Sequence, residues 1–423
     1  MDRTDLRLKA GQWLLPRKDI DLTAWACVAC DQFTSQPEYW AEARALVGER
    51  PSTLNMILPE CELEQAAQRV PLIHGEMEDY LGGGVLQPTA WEGFIYTERS
   101  TESGLRPGLV VLLDLEGYDY RAGSGSLIRP TEGTIVERIP PRLGVRRKAA
   151  LEVSHVMMLL DDPEDRVIGP LRARRSALEP LYDFSLMLGG GELAGYAVTD
   201  PSDIDAVAEA LGQLKAELGG DAPLLYAVGD GNHSLATAKA YWEELRPRLT
   251  PKEQAEHPAR YAMVELTNIH APALSFEPIH RVLFGVQGQA LLQDMARYAQ
   301  AHGMTLAGGE QEILCVYAGE EKQLAIGNAP QTLAVGTLQA FLDEWLAGHK
   351  EARLDYVHGE AAVRTLAQGD AVVGFLLPTP DKSSLFEAVR REGALPRKTF
   401  SMGEAWEKRY YMEARGLAPA CPR

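Results

Sequence analysis

Leu224-Leu225-Tyr226-Ala227-Val228-Gly229-Asp230-Gly231-Asn232-His233-Ser234 reads as a buried strand running into the first turn of a helix. Five consecutive apolar residues bounded by turn formers are the pattern of a strand covered on both faces. Gly229 and Gly231 allow tight backbone conformations and close approach to another group. The unpaired N–H groups of a helix opening near Ser234 favour an anion at that point, so Gly229, Gly231, Asn232 and Ser234 are candidate phosphate-binding positions. Asp230 can bind a metal or accept a proton, and His233 can stabilise phosphate charge or move protons near neutral pH. The bland reading stands beside this one: Asp-Gly and Asn are common turn residues, and either Asp230 or Asn232 can serve only as a helix cap.

Outward from this stretch the same alternation continues. Ile204, Val207, Ala208, Leu211, Leu214 and Leu218 recur at helical spacing behind Ser202, which the pattern predicts as N-cap. A second helix is expected from about Ser234 to Pro247, where proline ends it. Upstream, Gly93–Tyr96 and Leu109–Leu115 read as strands, and Pro37–Gly48 and Leu63–Tyr80 as helices. Downstream, Leu291–His302, Ile313–Tyr317, Gln331–Gly348, Ala371–Leu377 and Ser384–Gly393 alternate helix and strand. The fold class is therefore α/β with mixed α+β layering. Rhythm alone suggests an N-terminal unit over 1–147, a core unit over 148–287 that holds the turn, and a C-terminal unit over 288–423.

The 423 residues exceed one ordinary core, and 45% hydrophobic with 24% charged residues is a globular composition. A formal charge of −18 opposes broad attraction to nucleic acid or anionic lipid. No apolar run approaches the roughly 20 residues needed to span a bilayer, and the N-terminus has no signal-peptide pattern, so a cytoplasmic protein is expected. Five scattered cysteines fit a reducing compartment; Cys27 and Cys30 form a CxxC pair without the second pair a zinc site needs.

Three other clusters bear candidate chemistry. In Ile128-Arg129-Pro130-Thr131-Glu132-Gly133-Thr134 with Glu137-Arg138, arginine can grip a phosphate through parallel hydrogen bonds and Glu132 can act as base or metal ligand. Asn268-Ile269-His270 and Pro278-Ile279-His280-Arg281 place imidazole and guanidinium groups near turns, as Pro396-Arg397-Lys398-Thr399 places cations. Each reads equally well as surface pairing or structural turn. Gly189-Gly190-Gly191 lacks the Lys-Ser/Thr of a phosphate loop and is expected to be a turn.

Taken in order, these landmarks resemble the domain of unknown function family 1015, whose members carry an Asp-Gly-His-His-Arg turn before a helix. Met263-Val264-Glu265-Leu266-Thr267-Asn268 and Leu354-Asp355-Tyr356-Val357-His358 belong to the same series. The turn also resembles, more loosely, that of free-serine kinases with the ParB/sulfiredoxin-like fold, where it sits by the nucleotide phosphates. That likeness implies a ParB/sulfiredoxin-like core around Gly229–Ser234, flanked by further α/β units. In it Asp230 and His233 match, Asn232 replaces the first His and Ser234 replaces the Arg. Asp31 stands where relatives carry a Tyr-Asp pair and is a lesser candidate for metal or base.

Together these readings predict a phosphoryl-transfer enzyme acting on a small polar metabolite in serine metabolism, with Mg²⁺ and ATP or ADP and free L-serine as first substrate. Asp230, His233 and Glu132 are the expected catalytic groups, and Asp230 and Asp31 the expected metal ligands. Gly229, Gly231, Asn232, Ser234, Arg129, Thr134, Arg138, His280 and Arg281 are expected to hold phosphate or nucleotide. A phosphatase of a small ester such as O-phosphoserine and a non-catalytic nucleotide sensor are the rivals.

Overall fold

A computed structural model describes residues 3–121 and 123–417. The fold is mixed α/β, in two compact units. The first comprises residues up to 130, 134–274 and those from 403 onward; the second comprises 131–133 and 275–402. The expected boundary at 147/148 falls inside the first unit, because strands from both sides of it pair in one sheet.

That sheet has twelve strands. Its centre is built from β1 (Leu86–Thr101), β2 (Gly104–Asp114), β3 (Ile128–Pro130), β4 (Met157–Leu160), β5 (Tyr226–Asp230) and β6 (Tyr261–Asn268), in the order β3-β5-β4-β6-β2-β1. β5 runs parallel to β3 and antiparallel to β4, with Val228 opposite Met158. β6 runs parallel to β4 and antiparallel to β2. Beyond β1 lie Gly11–Pro16, Ala414–Gly416 and Leu151–Val153. The chain's last described residues thus close onto its first strands.

Both faces of this sheet are covered, which is why its strands are continuously apolar. In β2, Leu109, Val111 and Leu113 enter one core while Val110 and Leu112 enter the other. Three helices matter to the site: α1 (Ile139–Arg146), α2 (Pro201–Leu218) and α3 (Asn232–Leu245). α2 turns Ile204, Val207, Ala208, Leu211 and Leu214 to the first core. Its N-cap is Asp200, not Ser202: Pro201 takes the first helical position, and the Asp200 carboxylate accepts from Ser202 N at 2.8 Å. The Gly189–Gly191 run is a turn, held by Arg99, which donates to Gly190 O.

The second unit has a six-stranded sheet around Phe276–Phe284, which pairs antiparallel with Arg353–His358, Val372–Leu376 and Phe400–Met402. Helix Glu360–Leu366 places Val363 against Val282, Val316 and Leu376. Among the described residues, no helix is long and apolar enough to cross a membrane.

Candidate functional site

β5 ends at Asp230 and α3 begins at Asn232, so the turn joins a buried strand to a helix through one residue, Gly231. Gly231 is left-handed, with φ +74°, and a Cβ there would lie 2.9 Å from Val156 Cα and 3.2 Å from His155 Cδ2. Only glycine lets the turn pack this closely on the residues entering β4. Gly231→Ala is expected to cost about 1–3 kcal/mol in urea unfolding, from backbone strain and displacement of His155. A variant as stable as the parent would show that the close approach is dispensable.

The close approach brings His155 beside the turn. His155 Nε2 lies 3.5 Å from Asp31 Oδ2, and Lys408 Nζ lies 3.5 Å from Asp230 Oδ2. Asp31 and Lys408 reach the site because the C-terminal segment runs beside residues 27–29: Tyr411 N donates to Cys27 O at 2.8 Å and Ala29 N to Arg409 O at 3.0 Å. Behind the imidazole, Tyr411 OH lies 2.7 Å from His155 Nδ1 and accepts from Cys30 N at 3.2 Å. Asp230 Oδ1 accepts from Gly231 N at 2.9 Å, whereas its buried Oδ2 has no hydrogen-bond partner.

Burial alone would push the His155 pKa down, but the neighbouring Asp31 and Asp230 charges outweigh it and the pKa is raised. Burial would likewise raise the Asp31 carboxyl; His155, a hydrogen bond from Gln32 and the Lys408 charge hold it well below the ordinary range. The two neighbours therefore favour each other's charged forms, imidazolium beside carboxylate. The site can stabilise an anion with His155 and Lys408 while keeping carboxylate oxygens available.

The other expected residues divide. Thr134 reaches the turn, its Oγ1 donating to Asn232 Oδ1 at 3.2 Å, and Tyr118 OH donates to the same oxygen at 3.3 Å. His233 faces the 134–135 loop: its Nε2 accepts from Ile135 N at 3.3 Å, which occupies the lone pair a proton carrier needs. Arg129 is buried and donates to Ser124 O and Ala222 O, at 3.0 and 3.2 Å. Arg138 is half-exposed and pairs with Glu60 at 3.2 Å. Ser234 faces a cavity described below.

Glu132, His280 and Arg281 belong to the second unit and have partners there. Glu132 Oε1 accepts from Thr399 N, and His280 Nδ1 from Leu377 N. Arg281, fully buried, donates to Gln339 Oε1 and to the carbonyls of Ile279, Arg397 and Lys398. These donors clamp the 396–399 turn, so within their own units both Arg129 and Arg281 donate to backbone carbonyls. Cys27 and Cys30 are free thiols that burial pushes up to about 12, and neither is a reactive thiolate. Among the described residues, no group of three or more His, Cys, Asp or Glu is arranged to hold a metal.

This is a mixed α/β protein with an acidic, imidazole-bearing site at a strand-to-helix turn. The chain belongs to the family described as protein of unknown function (DUF1015), whose profile matches residues 14–345. Lys408 and Tyr411 lie beyond that match. No curated protein matches the sequence. Among solved structures, a free serine kinase variant in complex with ADP is similar at 11% identity, with 72% of this chain and 91% of that one covered and a TM-score of 0.37. A conserved hypothetical protein from Pyrococcus furiosus is similar at 10% identity, over 73% of this chain and 95% of that one, with a TM-score of 0.34. SbnI with a C-terminal truncation, from Staphylococcus aureus, is similar at 12% identity, over 70% and 82%, with a TM-score of 0.35.

His155, Lys408 and Tyr411 escaped the sequence reading. His155 is a lone histidine between two apolar segments, and Lys408 and Tyr411 sit in Glu407-Lys408-Arg409-Tyr410-Tyr411, whose density of charged and aromatic residues is the only local signal.

Proposed function

We propose that this chain is a phosphoryl-transfer enzyme acting on the hydroxyl of a small metabolite, with a nucleotide as donor and free L-serine as the first acceptor to test. The observation that carries the reading is Asp230 Oδ2, a buried carboxylate oxygen without a hydrogen-bond partner, 3.5 Å from Lys408 at the opening of α3. A buried carboxylate oxygen whose printed partner is one ammonium at 3.5 Å keeps lone pairs free for a further donor.

In this mechanism the first turn of α3 and the cations of Lys408 and His155 offset the charge of the transferring group. Asp31 holds the imidazole charged, and Asp230 accepts the hydroxyl proton. Asp230 with Asp31 is also the donor set Mg²⁺ would use, since that ion takes one or two carboxylates and completes its shell with phosphate oxygens and water. When bound, it would neutralise charge on the phosphates.

The test is incubation of the full chain with Mg²⁺, ATP or ADP and L-serine, reading phosphorylated product by mass spectrometry. Product is expected, and Asp230→Asn should lower its rate at least about tenfold with the fold intact by circular dichroism. Phosphate release from O-phosphoserine without transfer would make the enzyme a phosphatase. A nucleotide-dependent rise in melting temperature with neither reaction would make it a sensor.

A further inference from the structure

Beside His155 the first unit holds a cavity of about 120 Å³. Its lining combines polar residues, among them His155, Tyr411, Ser234 and Arg146, with apolar ones, among them Met56, Leu58, Leu63 and Met77. The Cys30 thiol also faces it, neutral because burial pushes its pKa up to about 12.

The polar lining carries surplus positive charge. Glu152 is shared by two arginines, Arg146 Nη2 at 2.5 Å and Arg415 Nε at 2.7 Å, which hold its buried carboxyl at about 2 against the upward push of burial. Glu60 is likewise shared by Arg138 at 3.2 Å and Arg142 at 3.1 Å. Of these groups Arg142, Arg146 and Glu152 line the cavity, two guanidiniums against one carboxylate. Moreover, Arg146 is only 12% exposed and its buried Nε has no hydrogen-bond partner. A buried guanidinium N–H left unpaired is unfavourable, and a carboxylate is the group whose geometry satisfies it.

The apolar lining sets the rest of the ligand. Cavities of about 150 Å³ lined by apolar side chains accept a benzene ring, so a space of this order suits a body of about six carbons. A second anionic group has no cation to meet among Met56, Leu58, Leu63 and Met77.

We propose that this cavity binds a small monocarboxylate with an apolar or aromatic body, its carboxylate on Arg146 and its body against Met56 and Met77. The proposal stands apart from phosphoryl transfer, because binding is read without nucleotide or turnover.

Phenylacetate is the probe, with acetate and the uncharged phenylacetamide as controls, titrated into the full chain by calorimetry and thermal shift. Phenylacetate is expected to bind and raise the melting temperature, acetate for want of a body and phenylacetamide for want of charge to do neither. Arg146→Met should weaken binding by about tenfold or more, the scale of a charge-assisted hydrogen bond. Because Arg146 also pairs with Glu152, Ala149→Phe provides a second variant: Ala149 lines the cavity, so the ring should fill it and abolish binding with the melting temperature kept. Absence of binding to the parent at about 10 mM phenylacetate overturns the proposal, since weaker affinity is below any specific site. Undiminished binding by Ala149→Phe, or competition by AMP with no response to any carboxylate, overturns it too.

Discussion

Replacing Arg409 by methionine is expected to destabilise the protein by about 3–5 kcal/mol near neutral pH, the scale for removing one partner of a buried ion pair. Arg409 Nε donates to Glu265 Oε2 at 3.0 Å, its Nη2 to Glu413 Oε2 at 2.8 Å, and its Nη1 to Ser154 O. All three side chains are buried in the first unit. Glu265 also accepts from Thr97 Oγ1 at 2.8 Å, and Glu413 from Tyr182 OH. Methionine keeps much of the volume but leaves the two carboxylates without their shared partner, with Arg106 and Arg99 as nearby cations.

The pH dependence gives the loss a signature. Burial would raise the Glu265 pKa, but Arg409, Arg106 and the Thr97 hydrogen bond lower it, so its stabilisation is present above the unfolded carboxyl pKa and lost as pH falls through the folded one. In the variant the Arg409 part of that support is gone and Glu265 takes up a proton more readily. Its deficit relative to the parent should therefore shrink from pH 7.5 to pH 5 in urea unfolding. A deficit under about 1 kcal/mol, or one that grows on acidification, would show that the network is not what holds this core.

Much of this architecture could be read locally. The run Leu224–Val228 and the helical spacing after Ser234 located β5 and α3, because a covered strand and an amphipathic helix each write their period into adjacent residues. The helices at 37–47, 288–301, 334–348 and 382–392 lie within a few residues of the spans expected from the same periods. The division into units was not legible in that way. β3 joins β5 over nearly 100 intervening residues, and the C-terminal segment returns to Gly11–Pro16, pairings that leave no local trace.

The site divides along the same line. Asp230 and Gly231 were legible because a strand-to-helix turn has a chemistry of its own. Arg129 and Arg281 were over-read, since a guanidinium that holds carbonyls and one that holds phosphate look alike in sequence. His155 was missed for the converse reason: its meaning comes from Asp31, Asp230, Lys408 and Tyr411, which approach it from three other places in the chain. Arg409 ties these levels together, because the residue that satisfies the buried carboxylates also holds the Ser154 carbonyl next to His155 and lies between Lys408 and Tyr410 in the segment that completes the site.

If phosphoryl transfer is the activity, His155→Gln should lower kcat/KM by about 100- to 10,000-fold, the usual weight of a positioned acid–base or cationic group. Glutamine can still hydrogen-bond with Tyr411 but cannot carry charge. The pH profile isolates that charge. The groups facing the imidazole are Asp31 and Asp230, which favour its protonation, Arg409, which opposes it, and the Tyr411 phenol, which burial pushes well above its ordinary value. Since the net effect is a raised pKa, activity that needs the imidazolium should persist above the ordinary histidine value of about 6.5 and fall only as pH rises through the shifted one. The stabilisation His155 confers follows the same course, being fully present below the unfolded pKa and lost above the folded one. Asp31→Asn removes the largest cause holding the proton on, so burial prevails and the descending limb moves to lower pH. Parent and variant profiles that superimpose, or a limb that rises where it should fall, would remove His155 from the mechanism and leave its contact with Asp31 as a structural pair.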